Sequence, residues 1–264
     1  MQLQIDKNRV ASSFSKAAAT YDGSSLLQRD VGEELLRIVS DQNTNNARGS
    51  VVDLGCGTGF FTAKLEAELK PKQLIGLDIA QGMLEYAKSL KAPHYQWLCA
   101  DAEALPLAQN SVDLLYSSLA IQWCETPKAL FYEIERVLTA GGLAFLSTLG
   151  PESLFELRGS WSLVDQQVHV NRFIGLDDLI KHLPSNLELV VTKQQKREIE
   201  YDKLNELTSD LKNIGAHNMN AGESKGLTGR LKVKQFKANY EQYRKSNGKL
   251  PATYEVYYLA LKKL

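Results

Sequence analysis

Residues suited to hold a polar small molecule come early. Val51-Val52-Asp53-Leu54-Gly55-Cys56-Gly57-Thr58-Gly59 is an apolar run that ends in an acid and breaks into alternating glycines. The following segment, Phe60–Leu69, carries apolar residues at helical intervals, so the unit reads as strand, tight turn and helix. A turn of that kind presents backbone N–H groups at a helix N-terminus, which favours an anionic or polar group. Two further acids follow apolar runs. Leu74-Ile75-Gly76-Leu77-Asp78 ends in a carboxylate able to accept two hydrogen bonds from a ribose diol, and Trp97-Leu98-Cys99-Ala100-Asp101-Ala102-Glu103 closes a third strand with another acid. A dinucleotide fingerprint would put glycines first, third and sixth. Counted from Gly55, the sixth residue here is Phe60, and the pattern is acid-x-Gly-x-Gly-x-Gly.

With three acids at three successive strand ends, the sequence resembles the class I S-adenosylmethionine (SAM)-dependent methyltransferases. The resemblance implies SAM as cofactor and gives each residue an expected part. Gly55, Gly57 and Gly59 form the turn; Asp53 meets the amino end of the methionine moiety, unless it only caps the next helix. Asp78 takes the ribose, Met83 covers the adenine ring or is a core methionine, and Asp101 and Ala102 lie at the other adenine edge. Leu119, at the fourth strand end, borders the reacting centre. Tyr21, in Phe14-x6-Tyr21-Asp22, is a packing residue or part of a lid of the kind several methyltransferases close over the cofactor.

The elements that must position these residues follow from composition and pattern. A chain of 264 residues, 44% hydrophobic, is long enough for one α/β domain with a full core and insertions. Basic and acidic residues balance at 31 each, which leaves no global electrostatic case for nucleic acid or an anionic membrane. Three cysteines without a CxxC pair, and four histidines without metal-ligand spacing, argue for a reducing compartment and against structural zinc. No apolar stretch approaches the roughly 20 residues that span a bilayer, and the start is not a secretory signal, so a soluble cytoplasmic protein is expected.

The expected fold is a doubly wound, mostly parallel sheet in one domain over 1–264. A helical lid occupies 1–45, a SAM-binding core 46–150, and helical insertions 151–185 and 201–250. Two helices fill residues 6 to about 40, separated by Gly23-Ser24-Ser25, and a polar loop runs from Asp41 to Ser50. Val112 to Ser117 is the fourth strand, Pro127 to Leu138 a helix, and Leu143 to Thr148 the fifth strand after Gly141-Gly142. Residues 151 to 185 read as helical and Leu187 to Thr192 as a sixth strand. Residues 203 to 245 read as largely helical, interrupted at Gly215, Gly222, Gly226 and Gly229, and Tyr254 to Leu261 as the closing strand. That this strand returns antiparallel beside the fifth is implied by the resemblance, not by periodicity.

The acceptor is narrowed partly by what is missing. Ser117-Ser118-Leu119-Ala120 replaces the Asp/Asn-Pro-Pro-aromatic turn of DNA amino-methylating enzymes, and no Pro-Cys nucleophile occurs. An alcohol or phenol acceptor would want a general base, and the sequence nominates none. A carboxylate is already ionised at pH 7. Phe14-Ser15-Lys16-Ala17-Ala18-Ala19-Thr20-Tyr21, Leu119-Ala120-Ile121-Gln122-Trp123-Cys124, Asn171-Arg172-Phe173 and Leu211-Lys212-Asn213-Ile214-Gly215-Ala216 together resemble the malonyl-acyl-carrier-protein O-methyltransferase family, which opens pimelate synthesis for biotin. Ala140 stands where many members have proline.

The family implies methylation of the free carboxylate of a malonyl thioester on acyl carrier protein. A carboxylate in a water-poor pocket requires a cation, for which Arg172 is the candidate, with Tyr21 assisting. Acyl carrier proteins are acidic, and from Lys225 to Lys249 there are eight basic residues, Arg230, Lys232, Lys234 and Lys237 among them, against the single acid Glu241. That run reads as a carrier docking patch or as a solvated helical face. Two other readings of the chain stay open: a methyltransferase acting on a quinone precursor or short carboxylic acid, and a SAM-binding regulator without catalysis.

Overall fold

The apolar runs around the three acids become adjacent parallel strands. In the computed structural model, which describes residues 5–42, 49–90, 94–216 and 229–264, β1 (Ser50–Leu54) lies between β2 (Gln73–Asp78) and β4 (Val112–Ser118). β3 (Gln96–Cys99) flanks β2, and β5 (Leu138–Leu149) flanks β4, all in parallel. The closing strand β7 (Leu250–Lys263) runs antiparallel between β5 and β6 (Leu187–Tyr201). The sheet order is β3-β2-β1-β4-β5-β7-β6, the mostly parallel sheet with an antiparallel final strand that was expected.

Central strands bury both faces, which is why they read as unbroken apolar runs. Val51, Leu114, Tyr116 and Phe145 pack against Val31, Leu35 and Leu36 of α2 (Leu26–Gln42). The neighbouring residues Val52, Leu115 and Leu146 turn the other way, onto Leu130, Phe131 and Ile134 of α5 (Pro127–Val137). Alternate residues of one strand thus feed two cores. α1 (Lys7–Tyr21) packs on α4 (Gln81–Leu90), with Ala18 against Ala80 and Met83. The remaining helices are α3 (Phe60–Leu69), α6 (Phe155–Ser162), α7 (Leu176–Ile180), α8 (Leu204–Asn213) and α9 (Arg230–Tyr240).

The second half of the chain departs most from expectation. Residues 151–185 are helical only in α6 and α7, and 163–175 run as turns and irregular backbone. β6 continues nine residues beyond Thr192 to Tyr201, through a stretch too polar to read as a strand. It is a charged edge held by pairing along β7 and by ion pairs, Lys193 with Glu34 at 2.6 Å and Arg197 with Asp30 at 3.0 Å. Such an edge resists pairing with other chains. β7 and β5 both start earlier than the apolar pattern suggested, at Leu250 and Leu138. Gly222, Gly226, Lys225 and most of the loop from Asp41 to Ser50 lie outside the described residues. No helix among the described residues is long and apolar enough to cross a membrane.

Phe131 is fully buried at the centre of the α5 face. Phe131→Ala should lower stability by about 3–5 kcal/mol, read as a lower denaturation midpoint at unchanged m-value. A loss under about 1 kcal/mol would show that α5 does not close this core.

Candidate active site

The glycine turn binds its own sheet first. Gly55 and Cys56 donate backbone N–H bonds to Leu77 O at 2.7 and 3.0 Å, and Gly57 N–H donates to Asp78 Oδ2 at 2.9 Å. The expectation that these donors face a ligand anion is therefore corrected: they lock β1's exit onto the end of β2. The glycines are needed for backbone shape and clearance. Gly55, Gly57 and Gly59 have φ of 75°, 54° and 74°, and a Cβ on Gly57 would point into open space within the cleft. The backbone at Gly57 can thus lie directly against a bound molecule.

Asp78 accepts a second bond from Ala80 N–H at 2.7 Å, and burial raises its pKa while these backbone bonds oppose the rise. Asp101 stands two residues beyond the end of β3, in a turn and not at the strand's last position. Glu103 N–H caps it at 2.9 Å, and Lys7 Nζ bridges Asp101 at 2.6 Å and Glu103 at 2.5 Å. Asp78, Asp101, Ala102, Met83 and Leu119 line one cleft together with Gly55 and Gly57. Met83 is buried under α1 and lines that cleft as well, so it is a core residue at the cleft wall.

Asp53 lines an adjoining pocket that shares Gly55, Gly57, Tyr21 and Ser118 with the first. Its carboxylate is 2% exposed, accepts a 2.6 Å bond from Thr62 Oγ1, and has no cationic partner among the described residues. Burial pushes it up to about 7; the Thr62 bond opposes this and Asp78 adds to it. Arg29 lines the same pocket, with a buried Nε that has no hydrogen-bond acceptor. A buried carboxyl without a cation, in one pocket with an Arg29 whose Nη2 donates to Asp22 O at 2.8 Å but whose Nε has no acceptor, complements a zwitterion with ammonium and carboxylate ends. The methionine end of SAM is such a group. Sequence reading missed both Arg29 and Lys7, since a basic residue on a helix gives no sign of which end of a distant pocket it meets.

Beyond the nucleoside cleft lies a second, mostly apolar cavity of about 510 Å³. The two share Phe14, Tyr21, Leu119 and Trp123. Phe14 meets Trp123 edge-on at 5.4 Å and Tyr21 at 6.5 Å, so the junction is an aromatic collar. Leu119 holds a left-handed φ of 49° there, fixed by N–H bonds to Ser147 O and Oγ at 3.1 Å. Tyr21 ends α1, and burial, with Asp78 and Asp22 nearby, raises its phenol well above the ordinary range. It is a protonated donor at neutral pH. Arg172 is not brought to this junction. It is exposed and lines a neighbouring cleft with Ile121, Cys124 and Leu130, because Asn171 and Phe173 on either side form the wall between the two spaces. Among the described residues no group of three or more His, Cys, Asp or Glu is placed to hold a metal ion.

A mostly parallel sheet whose carboxyl edge carries a glycine turn, one buried and one half-buried acid and an adjoining apolar cavity defines a class I SAM-dependent methyltransferase. A family model described as "Methyltransferase domain" matches residues 52–146. The chain resembles the solved structure of a putative methyltransferase from Bacillus halodurans, with a TM-score of 0.61 at 15% identity, over 88% of this chain and 97% of that one. It is 44% identical to malonyl-[acyl-carrier protein] O-methyltransferase of Methylovorus sp., over 96% of this chain and 88% of that protein. It is also 47% identical to the biotin biosynthesis bifunctional protein BioHC of Cellvibrio japonicus, over 97% of this chain but half the length of that relative. The chain belongs to the malonyl-[acyl-carrier protein] O-methyltransferase family.

The raised Asp53 carboxyl makes a pH prediction for the protein without cofactor. An unfolded aspartate titrates near about 4, so the native state holds the extra proton between there and about 7. The resulting stability is fully present below the lower value and is lost as pH rises through the upper one. Asp53→Asn should therefore match wild type in thermal unfolding at acid pH and exceed it above neutrality. A wild-type-to-variant difference that stays flat across this range would contradict the assignment.

Proposed function

We propose that this protein transfers a methyl group from SAM to the free carboxylate of a malonyl thioester carried by acyl carrier protein, giving the methyl ester. The observation that carries the reading is the collar of Phe14, Tyr21, Leu119 and Trp123, where the nucleoside cleft opens into a cavity large enough for an acyl group. Close family members carry that activity in their names.

In this reading Asp53 and Arg29 hold the two ends of the methionine moiety, Asp78 the ribose and Asp101 with Ala102 the adenine edge. Bound SAM supplies an electrophilic methyl on a positively charged sulfur, which a carboxylate oxygen displaces in line with no proton transfer. The protein's own contribution is positioning, which in well-oriented systems lowers barriers by roughly 7–11 kcal/mol. Phe14, Trp123 and Leu119 exclude water at the junction. Tyr21, kept protonated, donates a hydrogen bond to the acceptor and does not act as a base.

The carrier is met by α9. Of the basic run, Arg244, Lys245 and Lys249 are tied to Glu241, to Glu198 and Glu200, and to Asp202, and Lys232 to Asp165. Arg230, Lys234 and Lys237 are exposed, without ionic partners among the described residues, and spaced to share one helical face beside the 71% exposed Leu231. A face of three free cations around an apolar residue suits an acidic helical partner.

Incubation with methyl-labelled SAM and a panel of malonyl-carrier protein, malonyl-CoA and short free acids should label the malonyl thioesters. Label on free acids alone would reject the proposal, and label on nothing would leave a binding module. Arg230→Glu with Lys234→Glu should raise KM for the carrier-bound substrate by roughly tenfold or more at low salt and leave malonyl-CoA nearly unaffected. Equal effects on both substrates would remove α9 as the docking face.

A further inference from the structure

A carboxylate inside the 510 Å³ cavity needs a positive partner, and Arg172 faces elsewhere. Among the described residues, the basic side chains that line this cavity are His169 and Lys212. Lys212 is exposed on α8, where water already satisfies it. His169 has a side chain 14% exposed and is fixed on two sides. Its ring stacks on Trp161 at 3.9 Å and 13°, and Trp161 stacks in turn on Phe236 of α9 at 4.2 Å and 9°. Its Nε2 meets Asp165 Oδ1 at 2.8 Å, while Lys232 of α9 holds Asp165 Oδ2 at 2.8 Å. Nδ1 makes no hydrogen bond among the described residues.

The chemistry favours one donor over several. A guanidinium grips a carboxylate through both oxygens and withdraws the lone pair that must attack. An imidazole whose Nε2 is already committed to Asp165 has at most a single further N–H to give, at Nδ1. It can hold one acceptor oxygen and leave the other free to react.

We propose that His169, oriented by Asp165 and Trp161, binds the acceptor's carboxylate through Nδ1 and so selects an anionic acyl group. This rests on the malonyl thioester reading above. His169 is a specificity-determining residue, and Asp165 and Trp161 act through it.

The test compares KM for malonyl-CoA with the inhibition constant of its neutral methyl ester, in wild type, His169→Gln, Asp165→Asn, Lys212→Ala and Arg172→Ala. His169→Gln should raise KM for the anionic thioester by about tenfold or more, leave binding of the neutral ester within about threefold, and leave SAM affinity unchanged. Asp165→Asn, which keeps the ring, should weaken the preference for the anion in the same direction. Equal losses for charged and neutral ligands would reduce His169 to a packing residue. A preference that disappears with Lys212→Ala or Arg172→Ala instead would assign the cation elsewhere, and either result overturns the proposal. Wild type inactive on every malonyl thioester would instead reject the function itself, and this inference with it.

Discussion

A buried carboxyl without a cation and a guanidinium whose buried Nε lacks an acceptor set the terms for the rest of the site. Asp53 is buried with the Thr62 hydroxyl of α3 as its side-chain partner, and the Nε of Arg29 is buried in the same pocket with nothing to donate to. Leaving a buried donor or carboxylate uncompensated costs a few kcal/mol in general, a large fraction of any domain's stability. The fold bears that cost near the carboxyl end of β1, which is paired in parallel on both sides. Val51, Val52 and Leu54 are essentially inaccessible, and Asp53 is carried in the same five-residue strand. The arrangement is thus fixed in place by the core and is complementary to a ligand with both charges.

α1 transmits that arrangement to the acceptor side. Its first turn reaches Asp101 and Glu103 through Lys7, its middle covers Met83, and its last residue is Tyr21 in the collar. The same helix is bonded to the α8 region by Ser13 Oγ to Gly215 O at 3.0 Å and Thr20 Oγ1 to Asn213 O at 2.8 Å. Asp22, immediately after it, accepts a 2.8 Å bond from Thr58 of the glycine turn. One helix therefore touches the Asp78 cleft, the Asp53 pocket and the wall of the 510 Å³ cavity.

How much of this was legible in the sequence depends on whether a residue's partner is local. The glycine turn and the strand at Asp78 could be read because hydrophobic runs and glycines record backbone geometry directly, and α3 is found at the expected residues. β6 could not be read in full, since its polar half is stabilised by β7 and by ions on α2, not by an apolar face of its own. Arg172 was chosen for its chemistry, but a residue's direction in an irregular segment alternates with its neighbours, and nothing in the residue type says which face it takes. Arg29 and His169 were invisible for the reverse reason. Their meaning lies in a missing acceptor and in an aromatic stack, neither of which leaves a periodic trace.

α9 shows how one short helix can divide its residues between two tasks. Phe236 turns inward onto Trp161, Lys232 reaches Asp165 from an exposed position, and Arg230, Lys234 and Lys237 turn outward. The helix contains no acid, and Lys232 is neutralised by an acid from the segment after α6. That pairing keeps Asp165 well below its ordinary carboxylate range, with Lys232 the main cause and His169 a further one. An ionised Asp165 is what orients the imidazole, and the outward lysines, lacking acids of their own, remain available to a partner. The charge that builds the cavity wall and the charge that faces solvent thus come from alternate positions of the same eleven residues.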